Sequence, residues 1–290
     1  MMNEIMKSFF GIALELTILF TGIAFVISLI SGFIPYQKME HLMNKSHPLL
    51  GAFIAVGLAF VTPFCSCSTI PMVVNLLRNN VRFAIVMIFL FASPVLDITI
   101  STLMVALLGW EVTIVYILIT ASLSITIGFL LSALGFESQL KHVVVENFAG
   151  QHREGRLHLK AAIQETWNLI KSVYPFLIIG AAIGSILHGA IPSEWISAYM
   201  GGNQWWLVPT AAIIGIPLYI RLSAMIPVSQ IMIVKGMALG PIMALLISSA
   251  GASLPEITLL HSIFKKKLVI AFIASVISMA TMAGFLFYLI

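Results

Sequence analysis

Charge is what this sequence has least of. Its 290 residues include 15 Lys and Arg and 11 Asp and Glu, 9% of the chain. An ordinary soluble domain carries about 25%. So few charges could not cover the surface of a soluble protein, and soluble enzymes and nucleic-acid binders are excluded. Cysteine is almost absent too, with Cys65 and Cys67 alone. Two thiols one residue apart do not suit a structural disulfide, so a disulfide-stapled secreted domain is excluded. With no further cysteine and with histidines mainly in loops or near segment ends, a closed tetrahedral zinc site is not expected. No Gly-Lys-Ser/Thr phosphate loop occurs, so the chain is not itself an ATPase. No cofactor is implied.

What fills the sequence is apolar: 60% of residues are hydrophobic. Apolar segments run at 8–34, 48–77, 83–108, 112–135, 166–190, 205–234, 237–264 and 266–290. A spanning helix needs ~20 such residues. The expected fold is an all-α polytopic integral membrane protein of six to eight spans. The net charge of +4 is then a topology signal, not a sign of nucleic acid. The segment 8–34 is too long for a signal-peptide core and reads as a retained first helix. The expected location is a bacterial-type inner membrane, with the lipid bilayer as the first partner.

Several segments carry internal breaks. Pro63 and Pro71 flank one, Pro94 lies in a second, Pro217 and Pro227 flank a third, and Pro255 closes a fourth. Proline removes a backbone donor and disrupts the local helix. Freed backbone within a bilayer must be buried in protein or line a polar cavity.

The sequence also repeats. Gly32 to Pro35 matches Gly189 to Pro192, Pro71 matches Pro227, Asp97-Ile98-Thr99 matches Glu256-Ile257-Thr258, and Gly128-Phe129-Leu130 matches Gly284-Phe285-Leu286. The expected organisation is a first membrane repeat at 1–135, a polar cytoplasmic connector at 136–164 and a second membrane repeat at 165–290. Two pseudo-symmetric halves with broken segments at matching places are the pattern of a transporter binding site. Two topologies remain open. Eight spans make the halves parallel; re-entrant hairpins at 83–108 and 237–264 make them inverted, and the distribution of Lys and Arg slightly favours the second.

Unusual residues collect at the breaks. Cys65, Ser66, Cys67, Ser68 and Thr69 lie between Pro63 and Pro71. Thiolates are soft ligands, suited to soft metals and metalloids. A helix beginning beside them would aim backbone donors at the thiols and favour the thiolate. Two small buried residues are the plainer account of the pair. In the second half, Arg221 and Ser223 lie between Pro217 and Pro227. An arginine at the bilayer centre costs at least ~2.5 kcal/mol and should be paired or face water. Asp97 and Glu256 are its candidate partners, or relay groups for a coupling proton, or helix caps. Glu15 is a further intramembrane acid. Trp110, Trp195, Trp205 and Trp206 read as interface anchors.

The run Thr62-Pro63-Phe64-Cys65-Ser66-Cys67-Ser68-Thr69-Ile70-Pro71 resembles the signature of the ArsP/YraQ-like permease family. So does the run from Gly215 through Pro217, Arg221 and Ser223 to Pro227. The stretches 235–241 and 251–256 look like the YraQ-like branch. The resemblance covers nearly the whole chain and implies an integral membrane permease. Some members resemble exporters of trivalent organoarsenicals. In that branch the second half tends to carry a cysteine where this chain has Arg221.

The functional expectation is therefore a carrier rather than an enzyme. It is a secondary permease exporting a soft, thiophilic or sulfur- or metalloid-bearing solute, with room for a homo-oligomer. A membrane thiol or sulfur-relay enzyme using Cys65 and Cys67, and a membrane subunit of a larger complex, are the alternatives.

Overall fold

The computed structural model describes residues 48–61, 66–78, 81–140, 204–217 and 237–288, with single positions between them. Among the described residues there are nine α-helices and no β-strand. They are α1 (Pro48–Val61), α2 (Ser66–Arg78), α3 (Phe83–Ala92), α4 (Ile98–Leu108), α5 (Trp110–Ala133), α6 (Leu207–Gly215), α7 (Leu239–Gly251), α8 (Leu254–Ile263) and α9 (Lys266–Leu286).

Two lengths of helix do two jobs. α5 and α9 have 24 and 21 residues. At 1.5 Å per residue they are about 36 and 31 Å long, enough to cross a hydrocarbon core of ~30 Å. Their outward faces are apolar: Leu118, Leu130, Ile270 and Met282 are exposed, as lipid-facing side chains should be. α3 has ten residues, apolar all round and all buried. α7 is buried from Gly240 to Gly251. Helices apolar on every face belong inside, and these two, at roughly 15–20 Å, are too short to cross alone.

Close helix contact is made at glycines. A side chain on Gly128 of α5 would strike Ile88 and lie 3.0 Å from the Ala84 carbonyl of α3. One on Gly284 of α9 would lie 2.8 Å from the Gly240 carbonyl of α7 and 3.0 Å from Ala244. Small residues let membrane helices approach where no apolar driving force draws them together. The rings of Phe91 in α3 and Phe272 in α9 stack with centroids 4.9 Å apart.

These contacts fix directions. The start of α3 meets the later part of α5 at Gly128, and Tyr116, near the start of α5, donates to the Val95 carbonyl just beyond α3. α3 therefore runs opposite to α5. α4 then ends two residues before Trp110. Residues 83–108 thus run alongside α5, with a break at 93–97. In the same way α7 starts beside Gly284 and Tyr288 at the end of α9. α8 ends at Ile263, just before α9 begins. The bend between α7 and α8 is 45°, which redirects a helix without reversing it. The segments at 83–108 and 237–264 are thus each a pair of short helices joined at a break.

α5 and α9 touch each other at Ser124 and Met279. The start of α9 sits at the end of α5: the Lys265 amide donates to the Gln139 carbonyl at 2.9 Å. Its ammonium donates to the Ser138 carbonyl at 3.2 Å, and Leu140 bridges to Phe264. The two long helices therefore run in opposite directions.

Candidate functional site

The break between α3 and α4 is a turn at 93–97. Its polar groups are satisfied from two sides. Ser93 and Thr69, both fully buried, share a hydrogen bond of 3.2 Å between their hydroxyls. The Tyr116 hydroxyl donates to the Val95 carbonyl at 3.0 Å. That carbonyl lies at the break and would otherwise face apolar protein. Tyr116→Phe leaves it without this donor, so we expect a loss of about 1–3 kcal/mol, read as a lower unfolding midpoint in detergent.

Thr69 belongs to the first turns of α2. The backbone of Ser66, Cys67 and Ser68 forms the start of that helix, so Cys67 is inside the helical N-terminus rather than ahead of it. Here the helix dipole favours negative charge. Pro71 lies within α2 and does not end it. The helix passes through at the expense of one internal bond, because proline has no amide hydrogen to give to the Cys67 carbonyl.

α2 packs against α8, and that contact joins two distant stretches of sequence. Glu256 is the third residue of α8 and is fully buried. Ser253 precedes the helix and is buried as well. Pro255, placed at the start of α8, initiates the helix instead of breaking one. The serines just upstream are helical too: Ser248 and Ser249 donate to the Leu245 and Leu246 carbonyls at 3.2 and 3.1 Å.

Asp97 immediately precedes α4, and its carbonyl accepts from the Ser101 amide at 2.8 Å. It is half-buried. Counted from the helix starts, Asp97 corresponds to Ser253 and Glu256 to Ile100, so the two acids occupy different positions. Pro94 is in the turn between α3 and α4, and Pro217 follows α6 after Ile216. α6 ends at Gly215 against the Ser248 hydroxyl and the Leu245 carbonyl of α7. Cys65, Arg221, Ser223, Glu15, Pro63 and Pro227 lie outside the described residues.

Sequence reasoning passed over Tyr116 and Ser101. Ser101 is buried, and its hydroxyl has no partner among the described residues. A tyrosine in the middle of an apolar run was the available signal, since a buried phenol hydroxyl needs an acceptor. Among the described residues no three His, Cys, Asp or Glu side chains gather as a metal-holding group.

No solved structure matches the chain. It is 23% identical to the UPF0718 protein YraQ of Escherichia coli over 243 residues, 83% of this chain and 68% of that protein. It is 30% identical to the UPF0718 protein MJ0584 of Methanocaldococcus jannaschii over 128 residues, 44% of this chain. The match spans about a third of that relative, 35% of its length. A family model described as a predicted permease, ArsP_1, matches residues 1–289. Apolar helices of spanning length, buried broken helices between them and a match along the whole chain agree: this chain belongs to the ArsP_1 family of predicted permeases.

Proposed function

We propose that the protein is a secondary transporter that exports a small, soft solute, thiophilic or bearing sulfur or a metalloid, across the inner membrane. The site is where the broken helices meet near the middle of the bilayer. Cys65, Ser66, Cys67, Ser68 and Thr69 from the first break, with Arg221 and Ser223 from the third, line it. The thiols bind the soft centre, Arg221 selects for charge, and Glu256, Asp97 or Glu15 carries the coupling proton.

One observation supports this reading most. α2, whose start lies next to the two thiols in sequence, packs at the α3–α4 break through Thr69 and Ser93 and against α8, which carries buried Glu256. The thiol-bearing stretch of sequence thus leads into a helix that touches both a broken helix and the helix of a buried carboxyl. Buried acids within a membrane mark ion and substrate pathways.

The test is growth. A strain stripped of its own metalloid exporters, expressing the wild-type chain, should gain tolerance to a trivalent organoarsenical or to another member of a thiophilic panel. The double variant Cys65→Ser/Cys67→Ser, present at the same level in the membrane, should lose that tolerance entirely. Unchanged tolerance in the double variant overturns the thiol site. No gain from the wild type with any member of the panel overturns the thiophilic substrate.

A further inference from the structure

We propose that 83–133 and 239–286 form an inverted repeat flanked by two re-entrant hairpins. One is α1 and α2, rooted at the cytoplasmic face. The other starts with α6 and has its two ends, Gln204 and Gly240, at the outer face. This rests on the permease reading for its functional meaning, but the geometry behind it is independent of any substrate.

The second hairpin follows from where its ends lie. The Tyr288 hydroxyl donates to the Gln204 carbonyl at 3.2 Å. The ring of the same Tyr288 packs at Gly240. Residues 204 and 240 are therefore both at the C-terminal end of α9. α6 leaves that end alongside α7, with Val208 near Gly284 and Gly215 reaching Leu245 and Ser248. By Gly215 the chain is level with the last turns of α7, and by Gly240 it is back where it began. The 35 residues between Gln204 and Gly240 cannot make two crossings of ~20 residues each and a turn. Gln204 and Gly240 therefore stand on the same side of the membrane.

The inversion follows from α5 and α9. Their opposite directions, set by the Gln139, Ser138 and Leu140 contacts to Phe264 and Lys265, place the end of one and the start of the other on the same face. In the eight-span arrangement those points lie on opposite faces.

The first hairpin follows from correspondence. α3, α4 and α5 start at Phe83, Ile98 and Trp110; α7, α8 and α9 start at Leu239, Leu254 and Lys266, each 156 residues later. The glycine contacts repeat at the same interval: Gly128 with Ala84 and Ile88, Gly284 with Gly240 and Ala244. α1 then matches α6, and α2 runs from the depth of Ser93 back towards the start of α3, where the Val81 amide meets the Leu76 carbonyl.

Charge supports this layout independently. Among the described residues Arg78, Arg82 and Lys265 to Lys267 fall on the face shared by the end of α5 and the start of α9. The positive-inside tendency makes this basic face cytoplasmic. Exposed Trp110, Trp205 and Trp206 all stand at the opposite face, where interfacial aromatics anchor helices.

The test is single-cysteine accessibility in a Cys65→Ser/Cys67→Ser background, with a membrane-impermeant maleimide on intact cells. Gln204→Cys and Ala238→Cys should label fully. Ser138→Cys and Lys267→Cys should label only after the membrane is permeabilised. If Gln204→Cys and Ala238→Cys label from different sides, the outer hairpin is wrong. If Ser138→Cys and Lys267→Cys do, the inversion is wrong. A reporter fused after Ile290 reads the same question in the wild-type chain: a phosphatase should be active there and a cytoplasmic fluorescent protein dark, and the reverse overturns the assignment of faces. None of these readouts depends on transport, so the thiol site can fail while the topology stands.

Discussion

Gly284→Leu should leave little folded protein in detergent, and Gly240→Ala should lower the unfolding free energy by about 1–3 kcal/mol. The two glycines face each other across the α7–α9 contact. A carbon on Gly240 would sit 2.7 Å from the Gly284 carbonyl, and one on Gly284 would sit 2.8 Å from the Gly240 carbonyl. Backbone cannot step aside as a side-chain tip can, so even one methyl forces the helices apart. A leucine adds a branched side chain where Ala244 already stands 3.0 Å from the first carbon. Gly128→Leu should fail in the same way, against Ile88 and the Ala84 carbonyl. Gly57 is the control. It is exposed on α1 with open space around it, so Gly57→Ala should be neutral or raise stability by roughly 0.5–1 kcal/mol. Thermal unfolding in a single detergent compares all four. Equal changes at Gly57 and Gly240 would mean that the α7–α9 packing does not set the effect.

The contrast between these glycines shows what a linear sequence reveals. Apolar length marked α5 and α9 directly, because a lipid-facing helix has no other way to be stable. The break at 93–97 was marked by proline and by Asp97. Elsewhere the punctuation misled. The serines ahead of Pro255, Ser248 and Ser249, belong to no break: their hydroxyls bond back to carbonyls of their own helix. Pro71 looked like a boundary, yet α2 runs through it. A buried helix tolerates one missing bond when its surroundings hold it, and proline alone cannot tell the two cases apart. Direction was the least legible property. Apolar residues read the same from either end, so only contacts such as Lys265 with Gln139 distinguish a crossing from a return. The candidate site was partly legible: Thr69 and Glu256 were singled out. That their helices pack together was not, since α2 and α8 are separated by more than half of the chain.

Glu256→Gln should abolish uphill transport driven by a pH gradient while leaving solute exchange across vesicles at equal pH intact. Asp97→Asn should leave both largely intact and cost about 1 kcal/mol of stability. The sequence treats these acids as equivalents, each followed by Ile and Thr. Their positions on the helices differ. Asp97 stands before α4, at the place where a carboxylate serves the free amides of the first turn, and it is half-buried. Glu256 is inside the first turn of α8, fully buried, on a helix that packs against the thiol-bearing α2. A buried carboxyl that exchanges a proton during each cycle cannot be replaced by an amide, which holds none. A carboxyl that only caps a helix can be, because asparagine caps about as well as aspartate. The measurement uses reconstituted vesicles and whichever thiophilic probe the growth panel selects, with counterflow and gradient-driven uptake recorded on the same preparation. Loss of both activities in Glu256→Gln with unchanged folding would make the residue part of the binding site. Retention of both would remove it from the mechanism and leave the coupling proton to another group.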